Sequence, residues 1–169
     1  MPLINIPYDR LAVIAYAEKW AMSRNPKYYN YNLLGGDCTN FASQCLFAGC
    51  KVMNYTKTYG WYYKTANDKT PSWSGVEYYY NFLTGNSEEG PAAVVCDIND
   101  LEIGDFIQLG NMEEFYHTLT IVRIDGEKTI PNIYVATHTY DSYNRSLATY
   151  NYRESRYLHI NSVKKWVKK

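Results

Sequence analysis

The chain has 169 residues, enough for one domain with a sizeable core, and its 46% hydrophobic content is that of a globular protein rather than a disordered one. Lys and Arg together number 17, as do Asp and Glu, so the formal net charge is zero and no global basic field points to nucleic acid as a partner. No stretch approaches the roughly 20 apolar residues of a membrane span.

The start, Met1-Pro2-Leu3-Ile4-Asn5, lacks the basic residues and long apolar run of a signal peptide. The chain is expected to be cytoplasmic, or extracellular and wall-associated if a signal peptide has been removed. There are 19 tyrosines. Their flat rings and polar tips suit either a half-buried surface shell or a cleft that binds sugars or peptides.

Asp9 is placed to cap a helix through Leu11, Ile14, Ala15, Ala17, Trp20 and Ala21, which Asn25-Pro26 ends. A tyrosine- and asparagine-rich loop, 27–34, closes on Gly35-Gly36. The next helix is predicted to begin at Asp37 or Cys38, with Phe41, Ala42, Cys45, Leu46 and Ala48 as its apolar stripe and Gly49 as its stop. Residues 51–73 read as an ordered aromatic layer. Ser74 is predicted to cap a helix through Val76, Tyr79, Tyr80 and Leu83 that ends at Gly85, and 85–91 reads as a flexible surface loop.

From about residue 93 the pattern turns to strands. A turn at 101–105 leads into 106–109, a hairpin joins 115–124 to 133–139 around Asp125-Gly126, and a last strand covers 156–160. Helices first and strands after make an α+β fold with an antiparallel sheet, in one domain spanning 1–169.

The four cysteines lack zinc-site spacing, and no metal is expected. Cys38 and Cys45 are seven apart, which on one helix separates their α-carbons by about 10 Å, too far for a disulfide. Pairing of Cys50 with Cys96 stays open. Cys38 differs from the others in standing at a predicted helix start straight after two glycines. Free amides and the positive end of the helix dipole favour thiolate there, and the same amides suit an oxyanion. Asp37 either caps this helix or raises the thiol pKa by its charge.

A cysteine nucleophile needs a base, and His117, early in its strand, is the better-placed candidate. If Ile124 pairs with Pro131, the register sum is 255, which equals 117 plus 138 and sets His117 directly opposite His138. An even sum would put the two rings on opposite faces. His138 is the expected third member of a triad, with Asp141 as the alternative.

The run Tyr29-Asn30-Tyr31-Asn32-Leu33-Leu34-Gly35-Gly36-Asp37-Cys38-Thr39-Asn40-Phe41-Ala42-Ser43-Gln44 resembles the putative amidase domain family of Firmicutes. Trp73-Ser74-Gly75-Val76-Glu77, Gly104-Asp105-Phe106-Ile107-Gln108-Leu109, the His117 strand and His138-Thr139-Tyr140-Asp141-Ser142 share that resemblance. More broadly, the order of cysteine, histidine and polar residue is similar to the papain-like cysteine hydrolases, including the cysteine, histidine-dependent amidohydrolases/peptidases. The resemblance implies a papain-like fold, a Cys38/His117 mechanism without a cofactor, and a peptide or peptidoglycan substrate. It also implies a side-chain amide about six residues before the cysteine in the oxyanion hole, where Asn32 stands. A monomer is expected. An acyl or peptidyl transferase using the same pair, and a non-catalytic aromatic-rich wall-binding module, are the rival readings.

Overall fold

The computed structural model describes residues 1–168. In chain order the elements are β1 (Leu3–Asn5), α1 (Arg10–Trp20), α2 (Cys38–Cys50), β2 (Tyr63–Thr65), β3 (Asp68–Lys69), α3 (Pro71–Ser74), α4 (Val76–Gly85), β4 (Gly90–Cys96), β5 (Phe106–Gly110), β6 (Phe115–Ile124), β7 (Ile133–Thr137), β8 (Ser142–Ser146) and β9 (Glu154–Trp166). Seven of the strands form one sheet in the order β1-β9-β5-β6-β7-β8, with β4 also paired to β9, and every pairing is antiparallel. The fold is α+β, as the sequence pattern implies. No helix among the described residues is long and apolar enough to cross a membrane.

Alternation along the strands divides the core in two. Phe106, Val122, Ala136, Leu158 and Ile160 face the helices and pack with Val13, Ala17, Phe41, Cys45 and Leu46. Ile107, Leu109, Leu119, Ile121, Ile133 and Val135 point the other way, where Leu101 and Leu147 cover them. The helical layer also buries an aromatic group: Trp61 and Trp73 have ring centroids 4.7 Å apart, and Tyr28 stacks on Trp73 at 5.8 Å. Their indole N–H groups donate to Ser43 Oγ and Asn40 Oδ1. Part of the tyrosine- and tryptophan-rich composition therefore builds core rather than a binding cleft.

Several boundaries differ from the sequence expectation for identifiable reasons. Asp9 does cap α1, accepting from the Ala12 N–H at 3.0 Å. Gly49 does not stop α2; Lys51 does, with φ 61°. Gly49 instead lets α1 approach, because a Cβ there would lie 2.5 Å from Val13 Cγ2 and 2.9 Å from the Asp9 carbonyl. Gly75, not Ser74, sits at the N-cap of α4, while the Ser74 hydroxyl takes a hydrogen bond from Lys69 Nζ. The segment read as a flexible loop is pinned, because Asn54 and Asn86 both donate to the Glu89 carbonyl and Gly90 already begins β4. All four cysteines are free, so Cys50 and Cys96 do not pair.

The β6–β7 ladder positions the site. Next to the turn, Ile124 pairs with Ile133 and Arg123 with Tyr134, an odd register sum of 257. An irregularity between Ile121 and Arg123 then shifts the pairing to Ile121↔Val135 and Thr120↔Ala136, an even sum of 256. Regular pairing ends there, and Thr118 meets β7 through its carbonyl, which accepts from the Thr137 hydroxyl at 3.1 Å. The two strands part just below this point.

Candidate active site

Cys38 is the first residue of α2 and is 6% exposed. The preceding turn needs its glycines, since Gly35 has φ +91° and Gly36 φ +105°, a region that side chains disfavour. A Cβ on Gly36 would also lie 3.0 Å from Thr139 Oγ1, which accepts the Asp37 N–H at 2.8 Å. The pair thus serves the turn and this close approach. Thr139 and Tyr140, with φ 63° and 59°, form a left-handed turn between β7 and β8 that delivers the hydroxyl.

Asp37 stands at the N-cap of α2 without capping it. Its buried carboxylate turns away, accepting from Tyr31 N at 2.9 Å and Asn40 Nδ2 at 2.8 Å through Oδ1. Oδ2 meets His138 Nδ1 at 2.6 Å. The first amides of α2 are left free of a side-chain cap.

Burial pushes the Cys38 thiol above its ordinary value, and the Asp37 charge adds to that. The N–H of Thr118, the hydroxyl of Thr39 and the N–H of Thr39 pull the other way without prevailing. At this buried position desolvation thus opposes the thiolate that a helix N-terminus would favour. The Thr118 N–H reaches the sulfur where β6 and β7 part. The thiol therefore lies against the main chain of the residue that follows His117.

His117 is the third residue of β6, is 9% exposed, and faces away from the helices with Leu119 and Ile121. Burial, assisted by the Arg145 charge, pushes its pKa down to about 4. The imidazole is neutral at physiological pH and available as a base. It opens into a cavity of about 400 Å³ that Arg145 and Tyr150 also line. The Tyr150 ring lies 5.9 Å from the His117 ring, and burial raises the pKa of its hydroxyl.

The expected apposition of His117 and His138 is not what the ladder has. The even register turns His138, two residues past Ala136, onto the helix-facing side. There it stacks on Phe41 at 4.1 Å and is fully buried. Its Nε2–H donates to the Trp20 carbonyl at 2.8 Å, while Nδ1 faces the Asp37 carboxylate. Both partners are acceptors, so a proton lies on the Nδ1–Oδ2 axis and the two side chains hold each other by a short, buried hydrogen bond. Asp141 belongs to the same cluster: both its oxygens take Arg24 N–H groups, at 2.7 and 2.9 Å, and Arg24 Nε lies 3.2 Å from Asp37. Asn32 is exposed on the loop, and its main-chain N–H donates to Asn30 Oδ1 at 3.0 Å. The Thr39 and Thr118 hydroxyls meet at 2.9 Å, so Cys38 and His117 are each the chain neighbour of one member of that contact, while His138 and Asp141 are tied to Asp37, directly and through Arg24.

Thr139 lies within the 138–142 motif without a role having been read for it; Arg24, Arg145 and Tyr150 stand in no motif, and the partners of Arg24 and Thr139 are distant in the chain. A second titratable group joins Glu102, Asp105 and His159, whose ligand atoms lie within 4.8 Å of one another. Asp105 is already satisfied: Oδ1 accepts from Arg10 Nη1 and Ile160 N, and Oδ2 from Glu102 N and His159 Nδ1. Arg10 supplies the positive charge that a cation would, and the cluster fastens α1 to β9.

The class of fold is α+β, an antiparallel sheet backed by helices, with Cys38 at the start of α2 and His117 on β6. Comparison with known proteins then identifies the family: residues 7–161 match the model of the Putative amidase domain, and the chain belongs to that family. Its name points to hydrolysis of amides in general. The chain is also 36% identical over 141 residues to the uncharacterized protein YhbB of Bacillus subtilis (strain 168), covering 80% of this chain and 42% of that relative. It thus spans about two fifths of that protein's length. No solved structure matches.

Proposed function

We propose that the protein is a cysteine-dependent amidase or peptidase of papain-like kind, with Cys38 as nucleophile and His117 as general base. The observation that supports this best is the thiol at the uncapped start of α2, held by the Thr118 N–H one residue from a buried, neutral imidazole. Papain-like architecture is inferred from this arrangement and from the antiparallel sheet behind it.

In this reading the resting pair is neutral. As the sulfur attacks the amide carbonyl, His117 takes its proton, so charge separation develops with the bond rather than before it. The carbonyl oxygen becomes an oxyanion that the free amides of α2 receive. Collapse of the tetrahedral intermediate breaks the C–N bond, and His117 returns the proton to the leaving amine. Water, deprotonated by His117, then attacks the thioester and frees the acid and the thiol. His138 acts as a positioning residue: it fixes Asp37, and Asp37 fixes the loop and turn from which Cys38 projects. Peptides of the bacterial cell wall are the proposed substrate class, on the strength of the family resemblance.

Purified cell-wall fragments and synthetic peptide amides, assayed for released amines, test the reading. Wild-type protein is expected to release them, and Cys38→Ala and His117→Ala are each expected to lose at least about 100-fold. Retained hydrolysis in Cys38→Ala would sink the proposal.

A further inference from the structure

We infer that Arg145 recognises a carboxylate on the leaving half of the substrate, so that the amide cut is one whose amine side ends in a free acid close to the scissile bond. This rests on the reading of Cys38 and His117 as the reacting pair.

Arg145, on β8, is half-buried and held from two sides. Its Nε donates to Thr149 Oγ1 at 2.7 Å and its Nη2 to the Thr149 carbonyl at 3.0 Å. The guanidinium lies 3.8 Å over the Tyr150 ring. Two of its five N–H groups are thus spent, and the edge carrying Nη1 and the rest of Nη2 is left, the fork that pairs with a carboxylate. Arg10, Arg24, Arg123 and Arg156 each have a carboxylate partner within the chain. Among the described residues Arg145 and Arg153 have none, and of these two Arg145 lines the cavity beside His117. It is a rigidly held cation without an anion, on the wall of the cavity into which His117 opens.

The side of the substrate follows from the chemistry. His117 returns its proton to the departing nitrogen, so the group beyond that nitrogen occupies the cavity on the His117 side. Leu109, Tyr116, Tyr140 and Tyr150 supply the remaining wall, which suits a small side chain or a short peptide backbone. A single guanidinium among neutral residues matches a singly charged carboxylate better than a phosphate, which would call for further cations. Arg145 also holds His117 less basic. A bound carboxylate would cancel part of that field and strengthen the base, so the correct substrate improves its own catalyst.

The test is calorimetric binding of N-acetyl dipeptides, in L and D forms, as free acids and as C-terminal carboxamides, to Cys38→Ala, which cannot turn them over. The acids are expected to bind about 10- to 100-fold more tightly than the carboxamides. That preference should vanish in Cys38→Ala/Arg145→Gln and persist in part in Cys38→Ala/Arg145→Lys, which keeps the charge. Equal affinity for acid and carboxamide, no acid binding at millimolar concentration, or a preference that survives Arg145→Gln would overturn the inference. The Cys38→Ala comparison decides even if Arg145→Gln folds poorly. Turnover by wild type separates the two ideas. Binding preference without hydrolysis defeats the hydrolase reading alone, and hydrolysis that ignores the carboxylate defeats the Arg145 inference alone.

Discussion

Replacing Asp37 by Asn removes one charge from a fully buried position while keeping shape and volume. The carboxylate accepts from Tyr31 N and Asn40 Nδ2, faces His138 Nδ1 at 2.6 Å and has Arg24 Nε 3.2 Å away. An amide can still accept through one atom, but its NH₂ then points at His138 and Arg24, which are themselves donors. Breaking a buried pair by removing one partner costs about 3–5 kcal/mol, because the other charge stays buried and uncompensated. For a chain of this size each kcal/mol lowers Tm by about 2–4 °C, so Asp37→Asn is expected to fall by about 6–20 °C. Asp141→Asn, on the half-exposed end of the same cluster, should cost only about 1 kcal/mol. Differential scanning calorimetry measures both. In Asp37→Asn/His138→Gln the loss should be smaller than the sum of the single losses, since neither partner is then left unpaired. A drop below about 2 °C in Asp37→Asn, or additivity with His138→Gln, would refute the buried-pair account.

The low pKa of His117, about 4, sets the direction of two pH effects. The base is in its working, neutral form above that value, so the acid limb of kcat/KM should lie near pH 4 rather than at the 6.5 of free histidine; a limb at 6.5 would contradict the burial argument. Between 6.5 and 4 the unfolded chain takes up a proton that the native site refuses, so stability falls with pH by about 3 kcal/mol; His117→Gln should remove that slope in urea titrations. With iodoacetamide, native Cys38 should react ahead of the fully buried Cys45, and faster as pH rises past 9; equal rates would count against an accessible nucleophile. Gly49→Ala should cost at least about 1–3 kcal/mol by forcing α1 away from α2, and an unchanged melting temperature would show that the helices yield.

Much of the fold was legible because its signals are local. Asp9 marks the start of α1, the glycine pair marks the start of α2, and Asp125-Gly126 lies in the β6–β7 connection. β8, Ser-Tyr-Asn-Arg-Ser, was not legible, since a polar strand carries no apolar alternation. The proposed pair, Cys38 and His117, stands out by its settings. The expected apposition of His117 and His138 fails, and the reason is a single residue. The hairpin begins in an odd register that would keep both histidines on one face, and the irregularity at Val122 makes it even and sends His138 to the helices. Nothing in the composition of Thr120-Ile121-Val122-Arg123 announces that shift. The Arg24–Asp141 pair, 117 positions apart, is likewise set by packing and not by any motif.

The central claim is that Cys38 carries the acyl group. Wild-type protein, acid-quenched during turnover of a peptide amide and digested, should yield a Cys38 peptide heavier by the acyl half of the substrate, and Cys38→Ala should show neither the adduct nor turnover. Turnover that leaves Cys38 unmodified at every quench time and continues in Cys38→Ala would contradict the account.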